Sequence, residues 1–416
     1  MEPPQTEGPQ DTMSPSPAAN GSTVHHRVLI LGGGSGGISV AARLRRADPT
    51  LDIGLVEPSE THDYQPLWTL VGAGVFSRDV ARRREADLVP KNVSWIRERV
   101  ASIDAEAKTV TTDAGTRISY DSLVVALGIQ INWNAVPGLA EGIGSNGICS
   151  NYSYDYAAYT WECIRSFRGG TALFTMPATA VKCGGAPQKI MYLADDHFRK
   201  AGVREKSKVI FATPQKAIFS VDKYRKTLEK VVARKGIEPM FRHNLIELRP
   251  ETKEAIVENV DTHEHVTIPY DMVHVTPPMG PPDVVSKSTL ANEGGWVEVD
   301  KHTLQSGKFP EVYAIGDCAG LPTSKTGAAI RKQAPVLVDH LLATMRGGSS
   351  TASYDGYSSC PVVTGYGKMM LAEFDYDHNP AESFPFDQSK ERYSMWLLKT
   401  QLLPRLYWYG MLRGRL

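Results

Sequence analysis

The chain lacks any excess of charge, any long apolar run and any paired cysteine motif. Lysine and arginine number 46, as do aspartate and glutamate, so no net field attracts a polyanion and we expect no nucleic-acid partner. No stretch reaches the roughly 18 apolar residues that a spanning helix needs. The five cysteines are widely spaced without a CxxC pair, so neither a disulfide scaffold nor a metal site is predicted.

The first residues have little that would direct the protein elsewhere. Residues 1–23 hold five prolines and no lysine or arginine, a composition that predicts a disordered leader. They lack the apolar core of a signal peptide and the arginine-rich character of a mitochondrial transit peptide. We therefore expect the protein to stay in the compartment where it is made, most simply the bacterial cytoplasm.

A glycine-rich turn follows the first apolar run. Residues 27–31 predict a buried parallel strand, and a GxGxxG pattern at Gly32, Gly34 and Gly37 leads into a helix-forming segment. Glycine lets the backbone approach a pyrophosphate, whose charge the helix N-terminus stabilises. A second apolar run ends at Glu57, where an acid accepts hydrogen bonds from an adenosine ribose. Together these features predict a dinucleotide site.

Two later segments indicate which dinucleotide is bound. Residues 93–128 alternate like a β-meander, and residues 309–317 form a buried strand that ends in Gly316-Asp317. These segments resemble the later motifs of the flavin disulfide reductase superfamily, in which the aspartate binds the flavin ribityl chain. FAD is therefore favoured over NAD. The alternative is that Asp317 caps the helix entered near Ala328.

A second nucleotide fingerprint is missing where one is expected. Residues 171–176 predict a strand, but residues 177–187 contain no GxGxxG pattern. A helix at 188–200 and a strand at 208–212 continue the α/β alternation. The sequence thus predicts a second Rossmann-like domain without the signal for NADH.

A cysteine stands in this replaced turn. Lys182 precedes Cys183 and would favour its thiolate, while Gly184 and Gly185 leave the sulfur accessible. Cys360 is a second candidate that can meet the first only through the fold. The alternative is that such cysteines are buried as small hydrophobic residues.

Six further blocks carry a family resemblance. They are YQPLWTLVGAG at 64–74, VKCGGAPQKIMYL at 181–193, HVTPPM at 274–279, LPTSKT at 321–326, YDGY at 354–357 and AEFDY at 372–376. Together they resemble sulfide:quinone oxidoreductases of the mitochondrial-like class, in the flavin disulfide reductase superfamily. Gly184 departs from the pattern, since relatives often have alanine there, and the tail is shorter than in longer relatives.

The resemblance implies the roles of individual residues. It implies a redox pair in which Cys183 lies beside the flavin and Cys360 receives the sulfur, although the local sequence does not fix which cysteine carries the persulfide. His62 is a further candidate for a position near the flavin, because it is close in the sequence to Gln65, an expected flavin contact. The expected flavin contacts are Gly32, Gly34, Ser35, Gly36, Gly37, Glu57, Gln65, Val100, Asp317 and Gly327.

The implied activity is FAD-dependent oxidation of hydrogen sulfide, with electrons passed to quinone and the sulfane sulfur removed by a small nucleophile. The reaction starts from a Cys183–Cys360 disulfide, either direct or bridged by extra sulfur. Two alternatives stay open. A type II NADH dehydrogenase should keep a second glycine loop, and a non-catalytic flavin-bound scaffold would use the cysteines only for packing.

The C-terminal segment is basic and aromatic. After Glu391 every charge is positive, and aromatic residues interleave with leucines on two short helices that Pro404 separates. Such segments lie in the headgroup plane of a membrane. We therefore expect association with the cytoplasmic face of a bacterial inner membrane, or with the mitochondrial inner membrane if the source is eukaryotic. The alternative is a helix pair packed on the protein's own core.

One other basic run, Arg82-Arg83-Arg84, is followed by acids and predicts a solvated helix face. Overall, the 416 residues predict an α/β protein with two Rossmann-like domains of the FAD/NAD(P)-binding type and a C-terminal amphipathic, membrane-facing segment. The predicted divisions are a leader at 1–23, an FAD-binding domain at 24–165 and 290–345, a second domain carrying the first redox cysteine at 166–289, and a C-terminal region carrying the second at 346–416.

Overall fold

The computed structural model describes residues 23–416, and the predicted leader, apart from its last residue, lies outside the described residues. The strands are β1 (Val24–Leu31), β2 (Ile53–Val56), β3 (Thr61–Asp63), β4 (Arg82–Arg84), β5 (Ser94–Ile96), β6 (Val100–Asp104), β7 (Thr109–Thr112), β8 (Arg117–Val125), β9 (Gln130–Ile131), β10 (Ile148–Cys149), β11 (Gly170–Thr175), β12 (Ser207–Thr213), β13 (Glu238–Phe241), β14 (His243–Arg249), β15 (Glu254–Asn259), β16 (His265–Pro269), β17 (Met272–His274), β18 (Met279–Gly280), β19 (Val312–Ala314), β20 (Ser358–Gly365) and β21 (Lys368–Phe374). The α-helices are α1 (Ser35–Ala47), α2 (Trp68–Val71), α3 (Leu139–Gly142), α4 (Tyr154–Ser166), α5 (Ala186–Lys200), α6 (Asp222–Lys235), α7 (Asp283–Ser286), α8 (Gly327–Met345), α9 (Tyr393–Leu397) and α10 (Leu403–Arg405).

The first sheet is built around β1. This strand lies between β2 and β8 and is parallel to both, and β19 is also parallel to β8. Strands β6, β7 and β8 pair antiparallel, as the predicted meander requires. Residues 28–31 are fully buried because the sheet is covered on both faces. The carboxyl end of β1 leads directly into the glycine turn and α1.

The second sheet is parallel, in the order β10, β17, β11, β12, β13. The antiparallel sheet of β14, β15 and β16 follows β13 along the chain. Strand β10 belongs to this second sheet although it precedes the predicted boundary at residues 165 and 166. The α/β class with two Rossmann-like units is confirmed, and the turn between β11 and α5 corresponds to the glycine turn of the first unit.

The C-terminal region combines a hairpin with a helical run. Strands β20 and β21 pair antiparallel and pack against α5. Helical turns then continue from Tyr393 to Arg413, so the predicted break at Pro404 is wrong. Wider π-helical turns precede and follow the proline, and the Leu403 N–H donates to the Leu398 carbonyl, which keeps the backbone bonded despite the missing donor. Within residues 23–416, no helix combines the length and apolar character needed to span a membrane.

The basic run at 82–84 is strand β4, paired with β3, and the predicted helix face is wrong. Arg82 donates two hydrogen bonds to the Asp63 carboxylate, both at 2.7 Å. Arg83 lies over the rings of Trp408 and Tyr409. These partners come from other parts of the chain, so the local charge pattern does not reveal them.

Candidate redox and flavin site

The two predicted redox cysteines lie together. Their Sγ atoms are 3.9 Å apart, with Cys183 in the turn before α5 and Cys360 in β20. The Cys183 N–H donates to the Lys325 carbonyl at 2.9 Å, and its carbonyl accepts the N–H of Ala186 at 2.8 Å. Cys183 adopts a positive φ of 55°, an uncommon conformation for a residue other than glycine. The fold thus joins two residues that sequence spacing could not bring together.

The absence of a side chain at Gly185 makes this contact possible. A Cβ there would lie 2.3 Å from the Cys360 Sγ atom. At Gly184 the nearest atom to a Cβ would be the Met176 methyl carbon, at 3.6 Å. Glycine is therefore required at 185, while alanine fits at 184.

Lys189 is the cation beside the pair. This lysine is only 4% exposed and its Nζ donates to the Cys183 Sγ atom at 3.1 Å. The hydrogen bond with Cys360 and the charge of Lys189 hold the pKa of Cys183 well below its ordinary value, although burial acts in the opposite direction. The hydrogen bond with Cys183, together with burial, raises the pKa of Cys360. Cys183 is therefore the sulfur of the pair that favours the thiolate form.

Lys182 does not take the part that its position next to Cys183 suggests. Its Nζ lies over the Trp68 ring, 5.2 Å from the centroid. Burial lowers the pKa of Lys182 to about 8, against the influence of Asp317 and Asp63. The sequence predicts the stabilising cation at Lys182, next to Cys183, whereas the first turn of α5 places Lys189 at the sulfur.

A second buried lysine comes from the C-terminal helical run. Lys399 is 3% exposed and its Nζ donates to the Pro66 carbonyl at 2.9 Å. Burial lowers its pKa to about 7, and the charge of Lys189 acts in the same direction. The charges of Cys183 and Cys360 act on the pKa of Lys399 in the opposite direction.

Sequence reasoning missed both buried lysines. Lys189 interrupts a run of buried residues on α5, which is the signal that could have revealed it. Nothing local separates Lys399 from the other cations of its segment, because its burial depends on contacts with a distant part of the chain.

The turn between β1 and α1 has the open shape that a diphosphate needs. A Cβ at Gly37 would lie 1.8 Å from the Gly32 carbonyl oxygen, whereas a Cβ at Gly34 would have no neighbour within 4 Å. The Gly33 N–H donates to the Glu57 carboxylate at 2.7 Å, which places this acid at the carboxyl end of β2 beside the turn. The glycines and the acid therefore fit the dinucleotide that the sequence predicts.

Asp317 lies in a 3₁₀ turn after β19. Among residues 23–416, its carboxylate has neither a hydrogen-bond partner nor an ion-pair partner. Burial raises the pKa of Asp317, against the charges of Lys325 and Lys182. Helix α8 is capped by Thr326, whose side chain accepts the Ala329 N–H, so the alternative role of Asp317 as the cap of that helix is wrong.

The other expected flavin contacts are dispersed over the first domain. Ser35 and Gly36 form the first turn of α1. Gln65 is exposed at the start of a 3₁₀ helix, and Val100 is buried at the start of β6. Gly327 begins α8, where a Cβ would meet nothing within 4 Å. As flavin contacts, these positions stay predictions.

The remaining cysteines are buried outside the pair. Cys318 donates to the Val125 carbonyl at 3.3 Å, and burial raises its pKa to about 11. Burial also raises the pKa of Cys149, which lies against Cys163. In the described part of the chain, no three or more histidine, cysteine, aspartate or glutamate side chains are grouped to hold a metal ion.

The class of protein follows from the fold and the glycine turn. The chain matches the sequence model of the pyridine nucleotide-disulphide oxidoreductase family over residues 26–155 and 193–338, more than half of its length. It therefore belongs to this class of oxidoreductases, in which a flavin is the redox group.

Two curated relatives show which family within this class the chain belongs to. The chain is 48% identical over 392 residues to the mitochondrial sulfide:quinone oxidoreductase of Mus musculus, covering 94% of this chain and 87% of the relative. It is 47% identical over 392 residues to the corresponding protein of Dictyostelium discoideum, covering 94% and 86%. The chain belongs to the sulfide:quinone oxidoreductase family, and the resemblance inferred from its sequence is confirmed.

Two further matches bear on the fold and on the alternative. The crystal structure of the sulfide:quinone oxidoreductase from Aquifex aeolicus has the same fold, with a TM-score of 0.80 at 21% identity over 94% of this chain and 92% of that one. A type II NADH:quinone oxidoreductase of Mycobacterium tuberculosis is 40% identical over only 129 residues, 28% of this chain and 25% of that protein. The NADH dehydrogenase alternative is therefore less supported.

Proposed function

We propose that the protein oxidises hydrogen sulfide at the Cys183–Cys360 pair and passes the electrons through FAD to quinone. The observation that carries this proposal is the contact between the two sulfurs, with the Lys189 ammonium on Cys183. A packed thiol pair has no need of a buried cation at one sulfur. This feature favours a redox role over the non-catalytic scaffold.

The first half of the reaction uses the different charge preferences of the two sulfurs. Hydrosulfide attacks Sγ of Cys360 in the disulfide, and the bond to Cys183 breaks. The attacking sulfur keeps its proton and becomes the outer atom of a Cys360 persulfide. Cys183 leaves as a thiolate that holds the electron pair, and Lys189, 3.1 Å away, stabilises this charge. A bridging sulfur would change only which S–S bond is opened.

The second half restores the pair. A small nucleophile takes the outer sulfur with its proton and leaves Cys360 as a thiolate. The two thiolates then form a disulfide and give up two electrons. Bound FAD supplies the two-electron acceptor between the thiols and quinone. The charge of Cys183 contributes to the raised pKa of Asp317, the residue expected at the flavin ribityl chain, which supports Cys183 as the sulfur nearer the flavin.

A cavity of about 470 Å³ offers space for the sulfur acceptor. It is lined by polar and aromatic side chains that include Trp296, Lys325, Asp375 and His378. The Lys325 carbonyl accepts the N–H of Cys183, so the cavity borders the redox turn. We infer that a small nucleophile approaches the thiol pair from this side.

The outer face of the C-terminal helical run supports docking on a membrane. Its large side chains at Tyr393, Leu397, Leu402 and Tyr409 are between 43% and 64% exposed, whereas Trp408 on the inner face is buried. The segment therefore packs on the protein's own core and also presents an apolar outer surface. The mitochondrial names of the relatives favour a mitochondrial membrane over a bacterial one as the source of quinone.

The test is anaerobic bleaching of the flavin by sulfide in single cysteine variants. We expect Cys183→Ser and Cys360→Ser each to lose nearly all bleaching, because one sulfur cannot both hold the persulfide and release the electron pair. The double variant should be little worse than either single one. Cys149→Ser and Cys163→Ser are matched controls, and bound flavin is measured first. Rapid bleaching in either Cys183→Ser or Cys360→Ser would remove that sulfur from the reaction.

A further inference from the structure

A buried chain of polar side chains connects the C-terminal helical run to the glycine turn. Tyr407 is 6% exposed, and its hydroxyl oxygen lies 2.7 Å from the Ser35 Oγ atom and 2.5 Å from Nε2 of His62. The His62 Nδ1 atom lies 3.1 Å from the Glu85 carboxylate. Both His62 and Glu85 are buried, at 4% and 1% exposure.

Both ends of this polar chain lie at the turn. Ser35 is the first residue of α1. At the other end, a Cβ on Gly33 would lie 2.6 Å from Oε1 of Glu85, an oxygen with no hydrogen-bond partner among residues 23–416. Gly34 lies between these contacts and has open space in front of it. The two ends of the polar chain therefore lie on either side of the part of the turn where the diphosphate is expected.

The packing of Tyr407 fixes where its hydroxyl lies. Its ring stacks on Tyr64 with centroids 4.2 Å apart and an interplanar angle of 30°. Burial raises the pKa of Tyr407, so the hydroxyl stays neutral. Because water is excluded, the hydrogen bonds of this hydroxyl meet little competition.

One arrangement of protons gives every group that contacts the Tyr407 hydroxyl a hydrogen-bond partner. His62 Nδ1–H donates to Glu85, the Tyr407 hydroxyl donates to Nε2 of His62, and the Ser35 hydroxyl donates to the Tyr407 oxygen. Ser35 is thereby held in one orientation, and the first turn of α1 is held with it. The N–H groups of this turn have no acceptor within the helix and point toward a bound anion.

We propose that Tyr407 is a positioning residue for the flavin diphosphate, acting through Ser35 at the start of α1. The C-terminal run is then part of the dinucleotide site as well as a docking surface. This inference rests on the FAD site of the proposed function.

The test follows FAD release from the diluted holoenzyme by the recovery of flavin fluorescence. Tyr407→Phe keeps the ring and removes the hydroxyl, and we expect release about tenfold faster, the equivalent of about 1.4 kcal/mol. Tyr409→Phe is the matched control, because its hydroxyl accepts a hydrogen bond from Arg83 and does not contact the turn. His62→Gln, which removes the other partner of the same hydroxyl, should also accelerate release and serves if Tyr407→Phe does not fold.

A double variant separates positioning from general stability. Ser35→Ala should accelerate release, and adding Tyr407→Phe to it should change the rate little if the tyrosine acts through the serine.

FAD should also protect the C-terminal run from proteolysis in the wild type and in Tyr409→Phe, but much less in Tyr407→Phe. The inference would be overturned if Tyr407→Phe released FAD at the wild-type rate. It would also be overturned if the increase in release rate in the double variant equalled the product of the increases in the two single variants. A wild-type protein that contains no FAD would overturn the proposed function as well, so the two failures can be told apart.

Discussion

The turn before α1 and the turn before α5 occupy corresponding positions in the two Rossmann-like units, yet they hold different chemistry. The first turn keeps its glycines, an open space at Gly34 and an acid at Glu57. The second has lost the glycine pattern and carries Cys183 at a positive φ, with Lys189 one turn into the helix.

The comparison shows that the same strand–turn–helix unit can stabilise two different kinds of negative charge. In both units a strand leads through a tight turn into a helix whose N-terminus favours negative charge. In the first unit this charge is the expected diphosphate, which needs bare backbone. In the second unit it is a thiolate of the chain itself, which needs a side chain at the turn and a cation beside it.

The largest expected effect comes from closing the open space in the first turn. Gly34 has no positive φ and no neighbour within 4 Å, so Gly34→Val should leave the fold intact while its side chain occupies the diphosphate position. We expect the purified variant to contain no flavin, as measured by its absorption. Gly307→Val, at another glycine with open space and no positive φ, is the control and should keep its flavin. Normal flavin content in Gly34→Val would place the dinucleotide elsewhere.

The corresponding change in the second turn should spare the flavin and damage the thiol pair. In Gly185→Ala the new methyl group displaces the Cys360 sulfur, and a displacement of about 1 Å in a reacting group can reduce a rate about a hundredfold. Bleaching by sulfide should therefore slow by about this factor at normal flavin content. Gly184→Ala should behave like the wild type. Equal rates in the two alanine variants would show that the observed sulfur contact is not required.

Removing the cation of the second turn should have a smaller effect that depends on pH. In Lys189→Met the pKa of Cys183 should rise, and each unit by which it exceeds the working pH lowers the thiolate fraction about tenfold. Bleaching should slow at neutral pH and recover as the pH increases. Lys200→Met, at the exposed end of the same helix, is the control. A pH profile identical to the wild type would contradict the role of Lys189.

The smallest effect concerns the C-terminal helical run, which contacts the first turn through Tyr407 and Ser35. Arg405 is exposed and lies between the buried residues Lys399 and Tyr407. Arg405→Gln should weaken sedimentation with anionic vesicles about fivefold, since one basic residue contributes about 1 kcal/mol at such a surface. Flavin content and bleaching should not change. Arg117→Gln, an exposed change on β8, is the control, and equal vesicle binding in the two variants would argue against docking through the C-terminal run.

Local patterns predicted the elements that depend on nearby residues. The glycine turn and Glu57 could be identified because a strand, a turn and a helix follow one another within a short stretch. The loss of the second glycine pattern was equally visible. The meeting of Cys183 with Cys360 was expected only through the family resemblance, since no local signal links a turn in the second domain to a strand of the C-terminal region.

Two of the features that the sequence did not predict depend on distant contacts. Lys399 is buried by its contact with the segment around Pro66. The local charge pattern predicts that Arg83 lies on a solvated helix face. It does not reveal the aromatic partners of Arg83, which lie far along the chain in the C-terminal run. The predicted break at Pro404 failed because π-helical turns can absorb a proline. The burial of Lys399 and the position of Arg83 are decided by tertiary packing, which the order of residues does not display locally.

The most direct test of the two-turn account is to offer sulfide and NADH separately to the same anaerobic protein and to record the flavin absorption. The account predicts that sulfide bleaches the flavin, that added quinone restores the oxidised spectrum, and that NADH and NADPH leave it unchanged because the second turn lacks the glycine pattern for a nucleotide. Rapid bleaching by NADH with no response to sulfide would contradict the account and favour the NADH dehydrogenase alternative.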